Sequence, residues 1–159
     1  MGPSSSIGLI ADTHGFLDPR IGPIFSGVAH IVHAGDVGDR SVLTQLQRLA
    51  STTAVAGNVD TSIALPQTAL LDFRGHRLLI QHIVDPLRPS SEFARTLLES
   101  QATIVVFGHT HRTCADWIGG RFFVNPGSAG RRRWNIPRSI AILTIEAEGP
   151  HIEFHTLSD

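Results

Sequence analysis

A chain of 159 residues with a formal net charge of −1 and one cysteine is about one domain long and has room for a real hydrophobic core. The near-neutral balance argues against a protein built to grip nucleic acid, and Cys114 alone excludes a disulfide framework or a zinc site of several thiolates. No stretch is apolar for the length of a membrane span, so the expected setting is cytoplasmic and reducing.

The opening Met-Gly-Pro-Ser-Ser-Ser fits the loose myristoylation pattern, but with Pro3 so close it reads better as a flexible leader over residues 1–5. Ile7–Ala11 then forms an apolar run that ends in Asp12-Thr13-His14-Gly15, a strand followed by a loop. A short helix is expected over about residues 18–27, with Pro19 tolerated in its first turn. His30–Ala34 reads as a second strand ending at Gly35-Asp36. Ser41 is a candidate cap for a helix through Leu49, because Val42, Leu43, Leu46 and Leu49 recur at helical spacing. Thr52–Ala56 is a third strand, ending at Gly57-Asn58-Val59-Asp60.

Ala69–Phe73 and Arg77–Gln81 read as a hairpin around Gly75-His76, with His82 just past its end. Pro86 and Pro89 precede a helix over Ser91–Gln101. The buried strand Ile104–Phe107 follows and ends at Gly108-His109-Thr110-His111. A second hairpin, Cys114–Ile118 and Arg121–Val124, turns at Gly119-Gly120 and runs into an Asn125-Pro126-Gly127-Ser128 turn. Strands at Ser139–Ile145 and His151–Thr156 complete the chain. Early alternation of strands with helices and later hairpins predict an α/β sandwich of two mixed sheets flanked by helices. Exposed edges in the late hairpins leave a homodimer open.

The metal-capable residues fall in one pattern. Asp12 and His14 follow the first strand, Asp36 the second, Asn58 the third, His82 the hairpin, and His109 and His111 the central strand. Strand C-termini are where open α/β sheets gather their ligands. A set of carboxylates, imidazoles and one amide suits borderline divalent ions, manganese first and then iron, nickel, cobalt or zinc, and belongs more often to a catalytic than a structural site.

With these motifs in this order, residues 6 to 156 resemble the calcineurin-like metallophosphoesterases, and among them the small single-domain bacterial and archaeal phosphodiesterases. Asn125-Pro126-Gly127-Ser128 and Pro137-Arg138 are also similar to that subgroup. The resemblance implies a four-layer αββα sandwich forming a single domain, and hydrolysis of small phosphate esters, diesters above all, by a hydroxide bridging two metals. It assigns Asp12, His14, Asp36 and His111 to one metal and Asp36, Asn58, His82 and His109 to the other. Asp36 bridges, and Asp36, Asn58 and His109 carry the catalysis. The alternative is a non-catalytic, protein-binding scaffold of the same fold, as in a relative from membrane-traffic complexes.

Two positions depart from the family pattern. Val59 stands where many members have a histidine that assists the leaving group, and Ile83 stands where a glycine usually follows the histidine. After the Asn-Pro-Gly-Ser turn, Arg131 and Arg138, within the group Arg131, Arg132, Arg133 and Arg138, are candidates to hold the substrate phosphate. Trp134 reads as packing, Phe16 as a pocket wall, and His33 as a satisfied interior histidine. Asp60 is either an orienting group for a neighbouring ligand or a turn aspartate, and Cys114 reads as a small core residue.

Overall fold

The computed structural model describes residues 4–157. One sheet contains β1 (Ser6–Ile10), β2 (His30–His33), β3 (Thr52–Ala54), β9 (Ser139–Glu146) and β10 (Gly149–Thr156) in the order β10-β9-β1-β2-β3. The other contains β4 (Thr68–Phe73), β5 (His76–Gln81), β6 (Ile104–Val106), β7 (Thr113–Ile118) and β8 (Arg121–Pro126) in the order β4-β5-β6-β8-β7. Both sheets are mixed, as expected. The parallel ladder β1–β2–β3 has antiparallel β9 on its β1 side, and the parallel ladder β5–β6–β8 lies between antiparallel β4 and β7.

Strand alternation builds the layers. Ile7 and Leu9 of β1 meet Leu78, Ile80, Ile104 and Val106 in a core shared by the two sheets. Ile10 and Ile31 point the other way, toward Phe25, Val42 and Leu46. On the far side, Leu79, Val105 and Phe123 pack with Phe93. Helix α2 (Arg40–Gln47) covers the first sheet and α3 (Ser91–Ser100) the second, which gives the four layers. Each fully buried Ile or Leu contributes about 1.5–3 kcal/mol relative to exposure.

The helix expected over 18–27 shrinks to α1, Ile21–Ile24. Pro23 lacks an amide donor, Gly27 is left-handed at φ 86°, and the Asp18 carboxylate turns back onto Arg20. The cap of α2 is Asp39 rather than Ser41; its carboxylate accepts the Ser41 N–H at 2.8 Å. Ser90 caps α3 by accepting the Phe93 N–H. The β4–β5 turn lies at Arg74-Gly75, both with positive φ, so His76 already pairs with Phe73. β8 continues through Asn125 and Pro126, and the chain turns only at Gly127.

Residues 1–3 of the expected leader, with its myristoylation pattern, lie outside the described residues. Ser5 is tied to the first sheet through its carbonyl, which accepts the Ile145 N–H at 2.9 Å. β3, β10, β4 and β7 are the sheet edges. Among the described residues no helix is long and apolar enough to cross a membrane.

Candidate metal centre

The seven expected ligands leave the C-terminal ends of β1, β2 and β3 in one sheet and of β5 and β6 in the other, so the site straddles both. Asp12, Asp36 and His82 are buried, His14 and His111 half-buried, and Asn58 and His109 exposed. Ligand atoms of Asp12, His14 and His111 lie within 4.8 Å of one another, and so do those of Asp12, Asp36 and His82. Asp36 Oδ2 is 3.6 Å from His14 Nε2 and 3.3 Å from His82 Nε2, so it faces both groups. Asp12 Oδ1 is 3.5 Å from His111 Nε2 and 3.8 Å from His82 Nε2. Asn58 Oδ1 lies 3.1 Å from His82 Nε2. His109 belongs to neither close group; its ring stands edge-on to His82 at 5.3 Å between centroids.

Each carboxylate is held by one oxygen and presents the other. Asp12 Oδ2 accepts the His109 N–H at 3.2 Å and Asp36 Oδ1 accepts the Val59 N–H at 3.1 Å. His82 Nδ1 sits 2.7 Å from the Ala34 carbonyl and must donate to it, which leaves a lone pair on Nε2 of the neutral ring. That lone pair faces two acceptors, Asn58 Oδ1 and Asp36 Oδ2. Asp12 Oδ1 and His14 Nε2 are buried with no hydrogen-bond partner among the described residues. Such orphans are costly, and a divalent cation satisfies all of them together. Burial and then Arg133 lower the His14 pKa, which keeps that imidazole available as a ligand.

The backbone is bent to this purpose. Asp12, His14, Asp36, His109 and His111 have φ between 47° and 72°. Left-handed non-glycine residues cost on the order of 1–3 kcal/mol each and cluster at functional sites, and Asp and His tolerate the region better than most. Glycines give the room. A Cβ on Gly35 would meet His82 Nδ1 at 2.6 Å, and one on Gly57 would collide with the backbone N and Oδ1 of Asp36.

Supporting residues fix the loops. Asp60 accepts the N–H groups of Val37, Gly38 and Gly57, tying the Asp36 loop to the Asn58 loop, and so it acts as the orienting group. We expect Asp60→Ala to lose about 3 kcal/mol of unfolding free energy in urea, because three donors lose a charged acceptor. Metal affinity should fall about 10–100-fold. Asn125 donates to the Gly108 carbonyl and Thr110 Oγ1, which holds the Gly-His-Thr-His turn. Ile83 does not have positive φ and its side chain is 53% exposed, so no glycine is required there and His82 keeps its place.

His33 is the interior histidine expected. Nδ1 accepts the Gly35 N–H, Nε2 bonds Thr13 Oγ1, and Thr13 in turn donates to the Val37 carbonyl. Burial pushes its pKa down to about 4. Above pH 6.5 both folded and unfolded chains hold it neutral. As pH falls from 6.5 to about 4, only the unfolded chain takes up the proton, so stability is lost by a total of about 3 kcal/mol. Urea unfolding of metal-stripped protein across this window should show the loss, and His33→Gln should reduce it, leaving the part due to His14 and His30, whose pKa values burial also lowers.

The arginines divide. Arg138 is buried, with its guanidinium on Asp18 Oδ2 at 2.9 Å and on the carbonyls of Gly130 and Ala129. That ties it into the scaffold of the loop. Arg131 lies over the Phe16 ring at 4.2 Å, so Phe16 supports the arginines. Arg133 is the one whose charge, after burial, lowers the pKa of a candidate ligand, His14; nothing in the run Arg131-Arg132-Arg133 distinguishes it beforehand. Trp134 is 85% exposed rather than packed. Cys114 is half-buried, and burial and then Asp116 push its pKa up to about 11.

Two mixed five-stranded sheets with carboxylates and imidazoles at their joint C-terminal edge define an α/β sandwich with a candidate metal centre. Residues 6–148 match the calcineurin-like phosphoesterase superfamily domain, and the chain belongs to that superfamily of metal-dependent phosphoesterases. It is 31% identical over 150 residues, covering 89% of this chain and 87% of the relative, to a probable metallophosphoesterase of Methanothermobacter thermautotrophicus. Among solved structures it is similar to a predicted phosphoesterase of Streptococcus pneumoniae. The TM-score is 0.77 at 24% identity, over 96% of this chain and 89% of that one. It also shares its fold with vacuolar protein sorting 29 of Cryptosporidium parvum, with a TM-score of 0.75 at 14% identity, over 99% and 100% of the chains.

Proposed function

We propose that the protein is a two-metal phosphodiesterase acting on small phosphate esters in the cytoplasm, as one catalytic domain. The observation that carries this is the convergence of ligand atoms: Asp12 Oδ1 and His14 Nε2, buried with no hydrogen-bond partner among the described residues, meet Asp36 Oδ2, His82 Nε2 and Asn58 Oδ1 in a space that divalent cations satisfy together. In this reading Asp12, His14, Asp36 and His111 hold one ion. Asp36, Asn58, His82 and His109 hold the second, and Asp36 joins them. Carboxylates, imidazoles and an amide together admit manganese, the ion to try first, as well as iron, nickel, cobalt or zinc.

Bound divalent ions supply Lewis acidity to the phosphoryl oxygens and acidify the attacking water. The chain's own residues do the rest. The Ala34 carbonyl fixes the His82 tautomer, the Val59 N–H aims Asp36, and His109 N–H aims Asp12. Arg133, near His14, offers a guanidinium to the non-bridging phosphate oxygens. Val59 is half-exposed next to Asn58 and has no proton to give, which supports diesters with good leaving groups over poor ones.

Chelator-stripped protein should be inert toward bis-p-nitrophenyl phosphate and p-nitrophenyl phosphate. Added manganese should restore cleavage, faster on the diester. The likeness to vacuolar protein sorting 29 supports the scaffold reading instead. Silence with every divalent ion tried, in protein shown to bind two, would favour it.

A further inference from the structure

A cleft of about 700 Å³ opens directly beside Asn58 and His82, between the loop entering β4 and the first turns of α3. This is within the range of small-molecule sites. Phe93 and Ala56 are buried along it, and Ile83 is exposed at its lip. Ile83 is steadied by Gln81, whose amide donates to the Ile83 carbonyl and accepts from Thr68. Thr61, Gln67 and Thr96 contribute polar groups.

The charge of the lining is one-sided. No arginine lines it, and the chain has no lysine. Its charged residues are Asp60, whose oxygens are already bonded to three backbone N–H groups, and Glu92. Glu92 lies in the first turn of α3, where it offsets the partial positive charge of that helix end, and Ser90 already occupies the Phe93 N–H. The cleft therefore offers an anion no arginine or lysine and a carboxylate to oppose it.

We propose that this cleft binds the ester substituent of the substrate, and that the substituent is an uncharged, hydrogen-bonding ring of about nucleoside size. The inference rests on the phosphoesterase reading. A phosphate at Asn58 and His82 projects its ester group into the cleft, where the ring face meets Phe93 and Ile83 and the polar edge meets Gln67 and Thr96. A second phosphate on that group meets Glu92 and is rejected.

Three esters with one leaving group test this: methyl p-nitrophenyl phosphate, thymidine 5′-(p-nitrophenyl phosphate), and its 3′-phosphorylated form. In the manganese-loaded protein, kcat/KM for the thymidine ester should exceed that for the methyl ester about tenfold or more, and the 3′-phosphate should cancel this gain. Glu92→Arg should bring the two thymidine esters near parity, and Thr96→Trp, which fills the cleft, should remove the thymidine advantage. Equal rates for methyl and thymidine esters, or a wild-type preference for the 3′-phosphate, would overturn the proposal. If no ester is cleaved, the phosphoesterase reading has failed, and thymidine 5′-monophosphate titrated by NMR decides the cleft. Amide shifts at Phe93 and Thr96 support it, and their absence overturns it.

Discussion

Asp36→Asn should cut manganese-dependent turnover on bis-p-nitrophenyl phosphate about a hundredfold or more, because the substitution removes the carboxylate whose one oxygen faces His14 and His82 together. A single carboxylate between two cations about 3.5–4 Å apart offsets much of their repulsion; an amide oxygen carries no net charge to do so. Shape is nearly conserved, and the amide oxygen of the new side chain can still accept the Val59 N–H that Asp36 accepts now, so the fold should survive with little loss in urea. The apo protein should become more tolerant of the site, since His14 and His82 no longer sit against an uncompensated carboxylate. Metal analysis should show the defect alongside the kinetics. Wild-type turnover in this variant would mean that Asp36 does not bridge.

Gly57→Ala should be nearly as damaging by a steric route. The added Cβ would occupy the space of the Asp36 backbone N and Oδ1. Neither can retreat easily: Gly57 N–H is bonded to Asp60 Oδ2, and Asp60 in turn holds Val37 and Gly38. The two loops must separate, at a cost of about 1–3 kcal/mol for the overpacking. They would carry Asn58 and Asp36 apart, so activity should fall about tenfold or more, since an ångström of misplacement in a positioned site is worth about two orders of magnitude. Gly22→Ala, at a glycine with open space around its Cα, is the control and should leave activity alone.

The fold was legible because strand periodicity and loop chemistry agree along this chain. Ile7, Leu9 and Ile10 announce a strand buried on both faces, and Asp12 and His14 announce the edge at which it ends. The candidate ligands were legible for the same reason, being polar residues set where apolar runs stop. What stayed hidden depends on partners distant in sequence. Arg138 looks like a phosphate clamp until Asp18, 120 positions away, is seen to hold it. Arg133 is one of three identical neighbours until the fold brings its charge to His14. Pro23 and Gly27 shorten the first helix more than its apolar spacing suggests. The left-handed backbone of five candidate ligands leaves no mark in an Asp or His, unlike in a glycine.

The most direct test of the central claim is a manganese titration of the chelator-stripped chain by calorimetry, with hydrolysis of bis-p-nitrophenyl phosphate followed on the same samples. Two ions per chain, with turnover rising as the second binds, is the expected result. One ion or none at saturation would contradict the two-metal site built on Asp12, Asp36 and the four histidines.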